Sequence, residues 1–359
     1  MPDEEEFEEL QENDRKRLKL ASDLTVSEGM LYNRGMSGAI NISKDVLPYD
    51  KNRVKLEVAI DGVDYINASW LQKVEDSNLY DDLYDFLPAS DMNIILTQDP
   101  TLATRQHYLQ MIHEQNVNLV VHIGSEYNLE NWENDSYGNI SVDLVERLEI
   151  TKFITRDKLD VYLKRDKSTM YHSVTIIHYN AWPENNEFNE EDARSFLNMI
   201  SFVRREIGKP RKRYTLVAHD AAGGVEGASA FIVLHQILQE FDSKTNETKS
   251  GVQKKSLGYL NMFATVNNLR EKRKHMIRSF STYRFLFTTL SYYATKKTKH
   301  DSVRSGEEDL TNYDDDIFDT YYDEYEDFSP ISSPGVTSNS QLSISGRTTE
   351  NRFISIKLD

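Results

Sequence analysis

Residues 213–241 read RYTLVAHDAAGGVEGASAFIVLHQILQEF. An apolar run, TLVAH, has the length and composition of a buried strand. A loop of small residues follows, DAAGGVEG, and then a strongly apolar helix from about residue 228. Strand, small-residue loop and helix together make an anion cradle: loop N–H groups and the helix N-terminus converge on one point with positive partial charge. A strand-to-helix turn also calls for glycine on backbone grounds alone. The segment by itself leaves both readings open.

Outward from that loop the chain alternates. Strands are expected at 55–60, 93–98, 118–123, 139–146, 171–179 and 213–219. Helices are expected at about 102–115, 190–206, 228–241, 257–272 and 281–294. The strands mix alternating patterns with solid apolar runs, and helices lie between and after them. This predicts an α/β domain with a mixed, twisted sheet covered on both faces. The first 25 residues read as a helix, with acids early (Glu4, Glu5, Glu6) and bases late (Arg15, Lys16, Arg17, Lys19), the order a helix dipole favours. Phe7, Leu10 and Leu18 share one face, and Asp14 interrupts their stripe.

The 359 residues carry a net charge of −17, with 38% apolar residues and no cysteine. An acidic chain is a poor partner for nucleic acid or anionic lipid. The absence of cysteine excludes disulfides, thiolate metal sites and a cysteine nucleophile. No apolar run is long enough to span a membrane, and the acidic start MPDEEEFEEL is unlike a signal peptide. Much of the charge is concentrated. From Glu307 to Asp327 there are 11 acidic residues and no Lys or Arg, followed by a Ser/Thr/Pro-rich stretch. Such a segment cannot bury enough apolar surface to offset its ordering entropy. The expected organisation is an N-terminal helical segment (1–30), one folded domain (31–298) and a disordered acidic, Ser-rich tail (299–359). The histidines are scattered without paired metal spacing, so neither a metal site nor a cofactor is expected.

His219-Asp220-Ala221-Ala222-Gly223-Gly224-Val225-Glu226-Gly227 resembles the signature loop of protein tyrosine phosphatases, a His-Cys, five residues, then Arg. Other landmarks of that family recur in order. Lys51-Asn52-Arg53 resembles the start of the phosphotyrosine-recognition loop. Asp64-Tyr65-Ile66-Asn67-Ala68-Ser69 is similar to a family-typical string. Thr97-Gln98-Asp99-Pro100 resembles the Gln-Gly-Pro strand, and Met111-Ile112-His113-Glu114-Gln115 the helix after it. Trp132 with Tyr137-Gly138-Asn139-Ile140, Trp182-Pro183-Glu184, and His275-Met276 with Thr282-Tyr283-Arg284-Phe285 complete the set. The resemblance spans about residues 42–295. It implies the phosphatase fold.

The departures bear on function. The resemblance implies a thiolate nucleophile, and the chain has Asp220 there. It implies an arginine clamp on the phosphoryl oxygens, and the chain has Glu226. The general acid becomes Glu184, the ring-stacking tyrosine Val54 and the water-positioning glutamine Thr282. Reversing the clamp's charge replaces attraction with repulsion. Two unit charges ~4 Å apart at an effective dielectric near 20 repel by ~4 kcal/mol. The loop is therefore expected neither to cleave phosphotyrosine nor to hold it. Two readings of its carboxylates are open. Asp220 folds into its own loop and accepts the hydrogen bonds an anion would take. Alternatively Asp220, Glu226 and Glu184 form an acidic pocket for a cation or a basic ligand.

Within the family the string resembles the membrane-distal second domains of receptor-type phosphatases, most of all the gamma/zeta subgroup and its invertebrate counterparts. That likeness implies an inactive scaffold or regulator contacting an active phosphatase domain, in cis or in trans, or another signalling protein. The expected location is cytoplasmic, either free or as the intracellular part of a single-pass receptor. The tail carries Tyr313, Tyr321, Tyr322 and Tyr325 among acids, and Ser329 and Ser333 each before a proline. These are candidate phosphorylation sites, whose tyrosines would recruit SH2-type readers. The plain alternative is a tail that only solubilises.

Overall fold

Residues 2–20, 40–43, 45–60, 62–73, 92–124, 135–165, 168–208, 214–249, 260–304, 342–345 and 355–358 are described by the computed structural model. The solid apolar runs pair as the inner strands of a nine-stranded sheet. These are β3 (Met92–Gln98), β4 (Leu119–Ile123), β8 (Ser168–Tyr179) and β9 (Tyr214–Asp220). The outer strands are β1 (Arg53–Ile60), β2 (Val63–Gln72), β5 (Asp135–Tyr137), β6 (Ile140–Thr151) and β7 (Ile154–Arg165). The order is β1-β2-β3-β9-β4-β8-β7-β6-β5. The β3–β9, β9–β4 and β4–β8 pairs are parallel, and the flanking pairs are antiparallel. The expected mixed sheet is therefore present.

Both faces of its centre are buried, which explains why the inner strands are apolar at consecutive positions. Ile94, Leu96, Leu119, Val121, Leu216 and Ala218 face one core. That core also takes residues of α3 (Glu190–Ile207), α4 (Gly227–Lys249), α5 (Met262–Arg270) and α6 (Phe280–Arg304). Ile95, Val120 and Val217 face the other core, with Tyr108, Leu109, Met111 and Ile112 of α2 (Arg105–Glu114).

Three strands of this sheet go beyond the sequence expectation: β2, β5 and β7. In β7 the buried apolar residues Leu159, Val161 and Leu163 alternate with Asp160 and Tyr162, and charged residues make up most of the rest of the strand. The helix expected at 257–272 begins at Met262, where Asn261 caps it by accepting from the Ala264 N–H at 2.9 Å. The N-terminal helix α1 (Glu4–Leu20) shares the main core through Phe7 and Leu10 rather than standing apart from the domain. The domain end expected at 298 is crossed by α6, which runs unbroken to Arg304 with Lys297 buried. In the expected tail, Leu342–Ser345 and Ser355–Leu358 pair as an antiparallel ribbon. The six candidate phosphorylation sites lie outside the described residues, as does Trp132. No helix among the described residues is long and apolar enough to cross a membrane.

Candidate functional site

The loop between β9 and α4 is built around the side chain that opens it. Asp220 is buried at the end of β9. Its Oδ1 accepts from the Gly224 N–H at 2.6 Å, and its Oδ2 from the Glu226 and Ala228 N–H groups at 3.2 and 3.0 Å. Three amides of the cradle thus close on a carboxylate of the same chain. Burial pushes the Asp220 carboxyl above its ordinary range, with the Asp99 charge adding to it, while the three amides pull the other way. The turn depends on Gly224, which has φ +77°. A Cβ there would lie 2.6 Å from the Thr97 carbonyl oxygen, so a side chain is refused on both counts.

The loop is also held from behind. The guanidinium of Arg273, fully buried, donates to the Gly223 carbonyl (2.6 and 3.1 Å), to Asn67 Oδ1 (2.8 Å) and to Ser69 Oγ (3.0 Å). Burial lowers its pKa to about 10. Asn67 Nδ2 in turn donates to the Val46 carbonyl, Asn41 Oδ1 and Gln98 Oε1. The Asp64–Ser69 string and Gln98 therefore act as supports of the loop. Sequence reading noticed both strings but missed Arg273, which lies 50 residues from its loop partner in a charged stretch that reads as surface.

The other expected positions separate. Glu226 is buried. Its Oε2 accepts from Thr282 Oγ1 at 2.6 Å and Ser279 Oγ at 3.3 Å. Burial pushes its carboxyl up to about 7, with the Asp220 charge adding and the two hydroxyls opposing. Thr282 thus binds the residue at the clamp position. Val54 is fully buried in the second core with Leu56, Ile66 and Ala68 and offers no ring. Glu184 is exposed on a loop anchored by Trp182, which packs against Phe188, Phe196 and Phe285 at centroid distances of 4.9, 5.3 and 5.7 Å. Asp220 and Glu226 are neighbours, but among the described residues the three carboxylates do not converge as a ligand group.

The group that does converge is a different one: Asp99, His122 and His219, whose ligand atoms all lie within 4.8 Å of one another. His219 Nδ1 is 2.7 Å from Asp99 Oδ1, and His122 Nε2 is 3.4 Å from Asp99 Oδ2. Parallel register sets His122 level with His219 on one side and with His178 on the other. His178 Nε2 lies 3.2 Å from Asp157, which Arg147 holds with two hydrogen bonds. Sequence spacing gave no sign of this row, because strand pairing makes it.

Residues 39–292 match the family described as protein-tyrosine phosphatase. The chain is 26% identical over 259 residues to mouse (Mus musculus) receptor-type tyrosine-protein phosphatase alpha, covering 69% of this chain and 27% of that protein. It is 27% identical over 225 residues to tyrosine-protein phosphatase 2 of Dictyostelium discoideum, covering 58% and 55% of the two. The chain thus spans about a quarter of the receptor-type relative. The crystal structure of the catalytic domain of human protein tyrosine phosphatase non-receptor type 18 superimposes with a TM-score of 0.59 at 22% identity, over 80% of this chain and 95% of that one. That likeness is one of fold.

Proposed function

The chain belongs to the protein-tyrosine phosphatase family, and from that premise we propose that it is a catalytically inactive member, a pseudophosphatase domain that serves as a scaffold or regulator in phosphotyrosine signalling. The observation that carries this reading is the Asp220 carboxylate held by the Gly224, Glu226 and Ala228 amides. The seat where a phosphoryl group would lie is taken by a tethered anion. Three further features support it. The chain has no thiol to act as nucleophile. The clamp position is a buried carboxyl, Glu226, and the ring platform is a core valine, Val54. Nucleophile, clamp and platform are lost together, and loss of a nucleophile alone costs ~10⁶-fold in another hydrolase class.

On this reading the domain works by contact. Its partner is an active tyrosine phosphatase domain, in cis or in trans, or another signalling protein. Asp220 followed by Gly223-Gly224-Val225 favours placement among the membrane-distal second domains of the gamma/zeta receptor subgroup, and that placement is part of the proposal. The test uses the full chain in two assays: hydrolysis of a generic aryl phosphate, and binding of a phosphotyrosine peptide. Both are expected to be null. Turnover in the first, or saturable peptide binding in the second, overturns the reading. The regulatory half is tested by adding the chain to an active phosphatase domain and measuring a change in its rate.

A further inference from the structure

We propose that Asp99, His122 and His219 form a binding site for one divalent metal ion of the zinc class, set directly beneath the signature loop. Three observations carry this. The first is the donor set: two imidazole nitrogens and one carboxylate oxygen, the combination borderline divalent ions take, which leaves a tetrahedral ion one position for a solvent ligand. The second is geometry. Bonds of ~2.0–2.1 Å in a tetrahedron place neighbouring ligand atoms ~3.3 Å apart. His219 Nδ1 lies 2.7 Å from Asp99 Oδ1 and His122 Nε2 3.4 Å from Asp99 Oδ2, and the ligand atoms of all three residues fall within 4.8 Å of one another, so modest side-chain shifts bring both nitrogens and one carboxylate oxygen to that spacing. The short one is a hydrogen bond that a metal would replace, with the His219 proton moving to Nε2. The histidines sit on the adjacent parallel strands β4 and β9, and Asp99 directly follows β3, so the site is rigid. His122 and His219 are buried, while Asp99 keeps 16% of its side chain exposed.

The third observation is connection to the loop. The Asp99 N–H donates to the Asp220 carbonyl at 3.0 Å, and His219 directly precedes Asp220, so an ion held by Asp99 and His219 would be coupled to the loop that Asp220 opens.

The experiment titrates the full, metal-stripped chain with Co²⁺ and Zn²⁺. One equivalent of Co²⁺ is expected to give the visible d–d bands of a tetrahedral site, bleached by one equivalent of Zn²⁺. Zn²⁺ is expected to raise the melting temperature, with saturation at one equivalent. Asp99→Asn and His122→Leu should each weaken binding at least tenfold. His113→Gln, at the separate His113–His172 ring pair, should leave it unchanged. Absence of both the bands and the thermal shift in the unaltered chain overturns the proposal, and that readout does not depend on any variant folding. Binding that survives Asp99→Asn and His122→Leu, or that vanishes in His113→Gln, overturns it equally.

Discussion

Asp220 is a carboxylate whose hydrogen bonds all serve the loop that begins with it. Replacing it with alanine leaves three buried donors unmet, so Asp220→Ala should destabilise the chain by about 1–3 kcal/mol. Urea denaturation of the two proteins measures this, and an unchanged or raised midpoint would count against the self-filled loop. Asp220→Cys alone should give no aryl phosphate hydrolysis, because Glu226 supplies no cationic clamp for the dianion and Val54 still offers no platform. Measurable turnover by that variant would refute the joint-loss argument. Glu226 gives a pH signature. It titrates near 4.5 when unfolded and near 7 when folded, so the native state holds its proton more tightly. Its contribution is fully present below pH 4.5 and is lost as the pH rises to 7, about 3 kcal/mol in all. Glu226→Gln should remove that loss. The stability gap between variant and parent should widen from pH 4.5 to 7 and then level off. A gap that stays constant across that range would contradict the assignment.

At the scale of elements, the first helix shows how a polar residue in an apolar stripe is read too simply. Asp14 interrupts the Phe7–Leu10–Leu18 face. In the fold it is buried, 3.2 Å from the guanidinium of Arg270, itself fully buried, and it also pairs with Arg17. Arg270 passes the tie on to the Met276 and Ile277 carbonyls at 2.8 and 2.7 Å. The helix is thereby latched to the chain that leads into α6. Breaking a buried pair strands its partner's charge, so Asp14→Ala should cost about 3 kcal/mol. Amide exchange should accelerate across residues 4–20 before the sheet opens. If α1 keeps its protection, the latch is not what holds it. The element pattern itself was largely legible. Continuous apolar runs marked β3, β4 and β9, whose two faces are both covered, whereas β7 was hidden because its lysines, aspartates and arginines outnumber its buried residues.

Across the whole molecule, family landmarks gave the fold because they are strings of neighbours, and strings survive in a linear reading. The candidate site was half legible for the same reason. Asp220 and the amides it binds lie within eight residues of one another. Asp99 and His219 are 120 residues apart and meet only through β3–β9 pairing. Arg273 reaches Asn67 across 206 residues. Contacts of that kind are products of topology, and no spacing rule announces them. The acidic segment beyond α6 adds a last prediction. Tyr313, Tyr321, Tyr322 and Tyr325 lie among acids, and Ser329 and Ser333 precede prolines. Each phosphate would add about −1.5 to −2 charges and acceptor oxygens for an arginine-lined reader. Mass spectrometry of the chain from cells with active tyrosine kinases should find phosphotyrosine there. Four unmodified tyrosines beside phosphorylated control substrates would leave the segment a solvating appendage.

The self-filled cradle also has a historical consequence. No single-base change turns an aspartate codon into a cysteine codon; the shortest routes pass through glycine or tyrosine. Glycine at position 220 would leave the Gly224, Glu226 and Ala228 amides empty-handed, and tyrosine would have to fit where a buried carboxylate now sits. Both intermediates should fold less well than the aspartate chain. On the proposed reading, the hydrogen bonds that steady the loop today stand guard against a cysteine at position 220, and a lineage that has made them is held to what this loop can do without one.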